Sequence, residues 1–371
     1  RIRKIATNGI INTIAGNGAP GFSGESGIAI DVLLNYPTSV AVTNNGEVFI
    51  CESGKIRKID RNGIITAVAG NGFWGFGGDG GSTLDAMLRD VRGIVVTDTG
   101  DVLIADTGNN RIRKVFRNGT IVTIAGNGNT DFSGDGVLAT DTALNQPRSV
   151  AYMNGEVYIT DTDNHRIRKI FTNGTITTFA GNGTYGHSGD GDLAIHAMLN
   201  RPVGIVVNDA GEVFISEEEN YVVRKIDNKG IITTFAGTPG VGGYDGDGGL
   251  ATDAKLNSPQ GLAINNKGEL FIADVNNNVI RRVDQHGIIS TVVIPRLVNP
   301  IDVSLGRDGE LFIVEMDRHR ITKFDNNGLK VRIAGYANFR SPTSDFHLPS
   351  NVPLVFVSSV SVLSETELIV A

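Results

Sequence analysis

The chain has 371 residues, of which 40% are hydrophobic but only 6% aromatic, and its formal net charge is −7. An acidic balance without a basic stripe argues against a nucleic-acid partner. The single cysteine, Cys51, excludes an intrachain disulfide framework and a cysteine-based zinc site, and no apolar run is long enough to span a bilayer. Aliphatic core residues and 48 glycines without a Gly-X-Y period are typical of an all-β protein made of short strands and turns.

One strand–turn–strand pattern recurs from one end of the chain to the other. Its clearest copy covers residues 100–115, where an apolar strand is followed by the turn Thr-Gly-Asn-Asn and the alternating run Arg-Ile-Arg-Lys-Val. The aliphatic residue before the basic pair, or before Thr-Lys in the last copy, stands at Ile2, Ile56, Ile112, Ile167, Val223, Ile280 and Ile321. These positions are about 55 residues apart, with a last interval of about 41, and such a period indicates one supersecondary unit per repeat.

Each repeat is predicted to hold four short strands, named A to D. In the second repeat, strand A covers residues 93–96, strand B 102–105, strand C 111–116 and strand D 120–125. The A–B and C–D turns carry Gly or Asn, as tight hairpins require.

A longer insert follows strand D in five of the repeats. It begins with Ala-Gly-Asn-Gly or a close variant and continues with a glycine-rich acidic loop. It ends in Ala and Leu at helical spacing, for example over residues 138–144, which predicts one or two turns of helix. The sixth junction, residues 293–300, lacks the insert, and the seventh, residues 335–353, is shorter and diverged.

The two ends of the chain complete one another. The chain begins with strands C and D over residues 1–6 and 10–15, and it finishes with strands A and B over residues 357–363 and 367–371. The repeated motifs resemble those of the NHL-repeat family, whose units fold as four-stranded blades of a β-propeller. This resemblance covers the whole chain. With the matching ends it predicts one all-β propeller domain over residues 1–371, with seven blades, one of them closed by the N- and C-terminal halves. A six-bladed propeller of NHL type is the alternative.

Two columns of charged residues run through the repeats. An acid ends strand B at Glu52, Asp106, Asp161, Glu217, Asp274 and Glu315. Strand C carries a basic residue at Arg3, Arg57, Arg113, Arg168, Arg224 and Arg281, with Thr322 in the last repeat. One interpretation is a ring of carboxylates for metal binding or catalysis. The other is a hydrogen-bonded pair that fixes each B–C turn, and we expect this pair because the feature occurs in nearly every repeat.

The inserts carry two further sets of repeated positions. Their acids are Glu25, Asp79, Asp135, Asp190 and Asp247. We expect these acids to cap the short helices that follow, with calcium binding by the Asp-Gly loops as the alternative. Their aromatic column is Phe22, Phe76, Phe132, His187 and Tyr244. We expect these rings to pack the insert onto its blade, with sugar stacking at Tyr244 or Trp74 as the alternative.

The start of strand A is the least repetitive part of the unit. The residue after its first proline, or the equivalent residue, is Thr38, Arg92, Arg148, Val203, Gln260, Ile301 and Ser358. The resemblance implies that strand A is innermost and that this position lies near a channel mouth. Binding specificity can reside at a position whose residue type varies while the rest of the repeat is uniform. We therefore predict ligand-binding residues at Thr38, Arg92, Arg148 and Gln260. A merely solvated rim is the alternative, and the two arginines favour a ligand with a carboxylate.

No catalytic or cofactor motif stands out in the sequence. There is no Gly-x-Ser-x-Gly, phosphate-binding loop or dinucleotide fingerprint, and the six histidines lack metal-ligand spacing, so we expect neither cofactor nor metal. The resemblance implies a non-enzymatic scaffold that recognises a protein or carbohydrate partner through the face with the inserts. A metal-dependent lactonase or lyase on the same propeller is the alternative, and bound metal in the purified protein would favour it.

The cellular setting is indicated only by short motifs. Asn-Gly-Thr sequons occur at Asn118, Asn173 and Asn182 and are consistent with an extracellular or cell-surface location. Asn-Gly also suits a hairpin turn, so the motif has a second explanation. We expect the chain to be part of a larger multidomain protein, with no nucleic-acid partner and no membrane span of its own.

Overall fold

The structure is a computed structural model that describes residues 2–5, 11–15, 26–32, 39–42, 47–52, 54–265, 267–292, 297, 299–305, 311–315, 320–324, 330–334, 360–364 and 367–370. Within these ranges every regular element is a β-strand or a 3₁₀ turn. The same ranges contain no helix with the length and hydrophobicity needed to cross a bilayer. The prediction of an all-β chain is therefore confirmed.

The strands of the described ranges form seven sheets. Sheet 1 begins with β1 (Ile2–Ile5) and β2 (Ile11–Ala15). Sheet 2 contains β3 (Ser26–Ile28), β4 (Ser39–Val42), β5 (Val48–Glu52), β6 (Lys55–Ile59) and β7 (Ile64–Ala69) in the order β3-β7-β6-β5-β4. Sheet 3 contains β8 (Val91–Val96), β9 (Val102–Asp106), β10 (Arg111–Val115) and β11 (Ile121–Ala125) in sequence order.

The next three sheets repeat this arrangement. Sheet 4 contains β12 (Val137–Leu138), β13 (Pro147–Met153), β14 (Glu156–Asp161), β15 (Arg166–Ile170) and β16 (Thr175–Ala180) in the order β12-β16-β15-β14-β13. Sheet 5 contains β17 (Pro202–Val207), β18 (Val213–Glu217), β19 (Val222–Ile226) and β20 (Ile232–Ala236). Sheet 6 contains β21 (Pro259–Ile264), β22 (Leu270–Asp274), β23 (Val279–Val283) and β24 (Ile289–Thr291).

The last strands bring the chain back to its start. Sheet 7 contains β25 (Pro300–Leu305), β26 (Leu311–Glu315), β27 (Arg320–Phe324) and β28 (Lys330–Ala334). Sheet 1 is completed by β29 (Val360–Ser364) and β30 (Glu367–Val370) in the order β2-β1-β30-β29. In the antiparallel β1–β30 pair, Arg3 lies opposite Val370 and Ile5 opposite Leu368. The structure thus has the predicted pairing between the two ends of the chain, while the number of blades stays a prediction.

The chain divides into two compact units. One comprises Arg1–Val102, Val115–Val122 and Leu297–Ala371, and it includes sheets 1, 2 and 7. The other comprises Leu103–Lys114 and Thr123–Arg296, and it includes sheets 4, 5 and 6.

The strand bounds predicted for the second repeat agree with the structure to within two residues. In the second repeat the predicted strands A to D correspond to β8, β9, β10 and β11. The predicted tight turns are also present. The Gly100 N–H donates to the Thr97 carbonyl and the Gly119 N–H to the Phe116 carbonyl, at 2.9 and 3.0 Å. Both glycines have positive φ, 79° and 85°, which explains why the turns need them.

The predicted one or two turns of helix in the inserts are present as one short turn of 3₁₀ type. Each described insert has a single 3₁₀ turn, and further 3₁₀ turns occupy several B–C connections. The 3₁₀ turns are Ala29–Asp31, Thr83–Asp85, Thr107–Asn109, Ala139–Asp141, Thr162–Asn164, Ala194–His196, Ala251–Asp253 and Val275–Asn277. The chain on either side of an insert turn is already bonded to two sheets, for example through the Ala139 N–H to the Gly174 carbonyl at 3.0 Å. This leaves too few residues for an α-helix.

Each insert runs along the outer edge strand of the following sheet. Insert 3 (residues 126–146) forms β12, which pairs with the edge strand β16, and its Gly136 N–H donates to the Ile176 carbonyl at 2.8 Å. Three other inserts each make an isolated β-bridge at the corresponding edge of the sheet that follows them. These are inserts 2 (residues 70–90), 4 (181–201) and 5 (237–258). The inserts therefore cover strand edges that would otherwise expose unpaired backbone groups.

Adjacent sheets pack through aliphatic side chains. One core cluster joins Ile167 of sheet 4 to Val213 and Ile226 of sheet 5, together with Ala197 and Leu199 from insert 4. An equivalent cluster joins sheets 5 and 6. The inserts contribute to the core as well as to the edge.

Candidate functional site

The strongest polar feature is a buried arginine in strand C of successive sheets. The Arg168 side chain is fully buried and lies between two acids: its Nη2 is 2.9 Å from Oδ1 of Asp135, and its Nη1 is 3.8 Å from Oδ2 of Asp161. Arg224 lies in the same way between Asp190 and Glu217, at 2.6 and 3.5 Å. Arg281 lies between Asp247 and Asp274, at 3.0 and 3.6 Å. We call each such group an arginine centre.

The B–C turn beside each centre is held by the same strand-B acid. Asp161 accepts hydrogen bonds from Asn164 Nδ2, at 3.1 and 3.0 Å, and from the Asn145 N–H of the insert, at 2.6 Å. Asn109, Asn220 and Asn277 bond in the same way to Asp106, Glu217 and Asp274. The predicted acid–arginine pair is confirmed as a buried ion pair, at 3.8, 3.5 and 3.6 Å in sheets 4, 5 and 6. The asparagine three residues after the acid is a partner that we did not predict, although its spacing is visible in the sequence.

Burial dominates the electrostatics of the centres. It raises the pKa of Asp161 and of Asp274 to about 6 and that of Glu217 to about 7, against the opposing effect of their hydrogen bonds and arginine partners. It also lowers the pKa of Arg168. At the C–D turns the effect is opposite, because backbone N–H groups hold the pKa of exposed acids such as Asp227 below its usual value.

The insert acids do not cap the turns that follow them. Asp135 Oδ1 accepts from the backbone N–H and the hydroxyl of Thr178, at 2.8 and 3.1 Å, in addition to its pair with Arg168. The residue that precedes the 3₁₀ turn of insert 3, Leu138, makes no side-chain cap. The capping prediction is therefore wrong here, because the buried arginine of the next sheet is a stronger partner for the carboxylate. Among the described residues, no three His, Cys, Asp or Glu side chains form a group that could hold a metal.

The insert aromatics lie against the arginines. The Phe132 ring is 3.8 Å from Cζ of Arg166 and 4.8 Å from that of Arg168, distances typical of cation–π contacts. Tyr244 lies 5.2 Å from Cζ of Arg281. The predicted packing role of this column is confirmed for these two rings.

The tips of two inserts expose large aromatic side chains. Phe73 and Trp74 in insert 2 are 72% and 68% exposed, and Tyr185 in insert 4 is 72% exposed. The Tyr185 ring lies 6.1 Å from that of His165, which ends the B–C turn of sheet 4. The tip of insert 4 is therefore at the B–C end of that sheet.

The predicted ligand-binding residues lie in different surroundings. Arg92 is exposed, and its Nε is 3.2 Å from Oδ2 of Asp90. Arg148 and Gln260 are half-buried, and each lies where the A–B register of its strand shifts, in β13 and β21. Such bulges re-aim side chains and are common beside binding sites. Thr38 lies outside the described residues.

Gln260 belongs to a polar network that the sequence did not predict. Its Nε2 donates to Oε1 of Glu218 at 3.1 Å, and Ser258 Oγ donates to the same oxygen at 3.0 Å. In the equivalent position of sheet 4, Thr162 instead donates to the Pro202 carbonyl at 2.9 Å. The carboxylate of Glu218 makes this place more suited to a ligand with hydrogen-bond donors than to a carboxylate ligand.

Comparison with known families agrees with the repeats described above. The family model described as "Teneurin NHL domain" matches residues 19–74, 182–243 and 237–297, and the "NHL repeat" model matches residues 88–115 and 144–170. The chain belongs to the NHL-repeat family. Mouse Teneurin-4 is 29% identical to this NHL chain over 306 residues, which cover 73% of the chain but only 11% of Teneurin-4. The chain thus spans about a tenth of that relative's length.

Two further comparisons show how widely the fold is used. The Arabidopsis thaliana protein SUPPRESSOR OF QUENCHING 1, chloroplastic, is 28% identical over 327 residues, covering 68% of this chain and 30% of that protein. The structure of virginiamycin B lyase from Staphylococcus aureus aligns with a TM-score of 0.58 and 18% identity, covering 89% of this chain and 87% of the lyase. At that identity the likeness supports the β-propeller fold and carries no information about activity.

Proposed function

We propose that this NHL chain is a non-enzymatic binding module that holds a protein partner through the exposed tips of its inserts. The observation that carries the proposal is the division within insert 4. Its acid, Asp190, is held by the buried Arg224, while its tip exposes the large aromatic side chain of Tyr185. Tryptophan and tyrosine are enriched at the energetic centres of protein interfaces. Trp74 and Tyr185 are therefore the anchors that the proposal requires.

The predicted ligand-binding residues belong to the same proposal. Arg148 and Gln260 follow the prolines of β13 and β21, which pair with the last residues of β14 and β22. They therefore lie at the B–C ends of their sheets, the end at which the Tyr185 tip of insert 4 is found. A partner that uses an aromatic tip would reach these side chains from the same end. Arg92 and Thr38 complete the proposed set.

The experiment is affinity capture with single variants of the immobilised chain, followed by quantitative mass spectrometry. We expect Trp74→Ala and Tyr185→Ala to lose the captured partner at an unchanged melting temperature. The matched control is Phe171→Ala, because Phe171 is also exposed but begins a C–D turn at the other end of its sheet. Loss of the partner with Phe171→Ala and its retention with the other two variants would overturn the proposal. A partner captured only through glycans would make the ligand a carbohydrate.

We also propose that the seven sheets are the blades of one closed propeller. The β1–β30 pairing supports this, since it joins the two ends within one sheet. Deleting Ser364–Ala371 should then lower the melting temperature sharply, and an unchanged melt would contradict closure.

An extracellular or cell-surface location, within a larger multidomain protein, is part of the same proposal. It is supported by the exposure of Asn118 and Asn173, whose side-chain oxygens each accept a bond from the threonine of the sequon. Secretion from a eukaryotic host followed by glycosidase treatment tests it. A mass shift on deglycosylation supports this location, and an unglycosylated product removes the support of the sequons.

A further inference from the structure

Two sheets fill the space beside the neighbouring sheet with a pair of aromatic rings. In sheet 4 the Phe179 ring meets the Tyr158 ring edge to face, at 5.1 Å between centroids. In sheet 5 the Phe235 ring meets the Phe214 ring in the same way, at 5.0 Å. Phe179 packs against the core cluster that contains Val213 and Ile226 of sheet 5.

Sheet 2 has the first ring of this pair but not the second. In sheet 4 the register skips Phe179, since Ile167 lies opposite Ala180 and Arg168 opposite Thr178. In sheet 2 the register skips Val68 in the same way, since Ile56 lies opposite Ala69 and Arg57 opposite Ala67. Val68 is thus the counterpart of Phe179, and Phe49 is the counterpart of Tyr158.

A cavity of about 480 Å³ lies beside Val68. Its apolar walls include Phe49, Val68, Val102, Val115 and Phe116. Val102 and Val115 belong to sheet 3 and correspond to Val213 and Ile226, which surround Phe179 in the complete arrangement. The cavity volume lies within the range of small-molecule sites.

Three charged side chains line the cavity: Glu47, Lys58 and Arg117. Arg117 Nη1 donates to the Thr99 carbonyl at 3.4 Å. Lys58 Nζ pairs with Oε1 of Glu47 at 2.6 Å, as Lys169 pairs with Glu156 at 2.7 Å in sheet 4. Lys169 Nζ lies 5.8 Å from the Phe179 ring centroid, within reach of a cation–π contact. A neutral ring in the sheet 2 cavity would meet Lys58, which is the counterpart of Lys169, and the edge or face of Phe49.

We propose that this cavity is a binding site for a small neutral aromatic molecule, which takes the place that Phe179 and Phe235 take in sheets 4 and 5. The chemical requirement is a flat ring without net charge. An aliphatic molecule of equal size would fill the volume but could make neither the edge-to-face contact nor the cation–π contact.

Indole is the probe, with cyclohexanol as the aliphatic control. We expect indole to bind saturably to the intact chain and to give intermolecular nuclear Overhauser effects to the Val68 methyl groups. Cyclohexanol should bind several-fold more weakly. Saturable indole binding without contacts to Val68, equal binding of cyclohexanol, or no indole binding at all would each overturn the proposal.

Two reciprocal variants test the correspondence between the sheets. Val68→Phe supplies the missing ring, so indole binding should weaken by about 10-fold or more while the melting temperature rises by about 1–3 °C. Phe179→Val removes the ring from sheet 4 and should create a second indole site, seen as a stoichiometry of two. Undiminished binding to Val68→Phe, or a stoichiometry of one in folded Phe179→Val, would contradict the proposal. The contacts to Val68 in the wild-type chain locate the site even where a variant does not fold.

Discussion

The arginine centres of sheets 4, 5 and 6 are built alike. The junctions beside them, where a B–C turn contacts the start of strand A in the next sheet, differ. Each centre places one buried arginine between a strand-B acid and an insert acid. At the neighbouring junction, Thr162 of sheet 4 donates to a backbone carbonyl, but Glu218 of sheet 5 accepts from Ser258 and Gln260. The difference indicates that the repeated contacts hold the architecture and that positions departing from the repeat are available for binding.

The largest expected effect is on the strand-B acid of a centre. Asp161→Ala leaves Arg168, Asn164 and the Asn145 N–H without this acceptor inside the protein. We expect a loss of about 3–5 kcal/mol in the free energy of unfolding, because removing one partner of a buried charged network is costly. Urea unfolding measures it. The junction control is Glu218→Gln, for which we expect a change within about 0.5 kcal/mol. Equal losses in the two variants would break the distinction between centre and junction.

The pH dependence of stability sharpens the same contrast. The pKa of Glu217 is raised to about 7 in the folded chain. Its stabilising contribution is therefore complete below its unfolded pKa, near 4, and is lost as pH rises through about 7. Glu217→Gln cannot titrate, so the stability of the wild type relative to this variant should fall by about 1–3 kcal/mol between pH 4 and pH 8. Urea unfolding across that range measures the difference.

Asp227 is the control of opposite sign for the pH experiment. Its pKa is lowered by the backbone N–H groups of Ile231 and Lys229, so its contribution is present above its unfolded pKa and is lost as pH falls. Relative to Asp227→Asn, the wild type should therefore gain stability with rising pH. If the Glu217 difference also rose with pH, burial would not be the dominant influence on its carboxyl.

A smaller effect is expected within one insert. Asp135→Ala removes an ion pair from Arg168 and an acceptor from Thr178, and it should cost about 1 kcal/mol because the carboxylate is partly exposed. Asp131→Ala, four residues earlier in the exposed tip, should change the free energy of unfolding by less than about 0.5 kcal/mol. Indistinguishable urea midpoints would show that the insert acid does not fasten the insert to the next sheet.

The repeat itself made most of the fold predictable. Period, strand bounds, hairpin turns and the pairing of strand-B acids with strand-C arginines all follow from local pattern, because each depends on residues within one repeat. The partners of the insert acids were not predictable in this way. Asp135 meets Arg168 and Thr178 of the following sheet, and a capping role is the simplest expectation for an acid that precedes a short turn.

The binding positions were harder to infer than the framework. The network of Glu218 and the cavity beside Val68 both lie at positions where the repeats differ. Aligning the repeats shows that the position of Val68 is aliphatic in most of them and phenylalanine only at Phe179 and Phe235. The cavity depends on sheet 3 as well as on sheet 2, and the sequence does not give the distance between the two sheets.

Hydrogen exchange of insert 3 in the wild-type chain tests the central claim most directly, since the claim is that each insert is held at its acid and free at its tip. The Gly136, Ala139 and Thr178 amides donate to Ile176, Gly174 and Asp135, at 2.8, 3.0 and 2.8 Å. We expect these three amides to exchange slowly, and the amides of residues 130–133 to exchange orders of magnitude faster. Uniformly fast exchange from residue 130 to residue 139 would contradict the account.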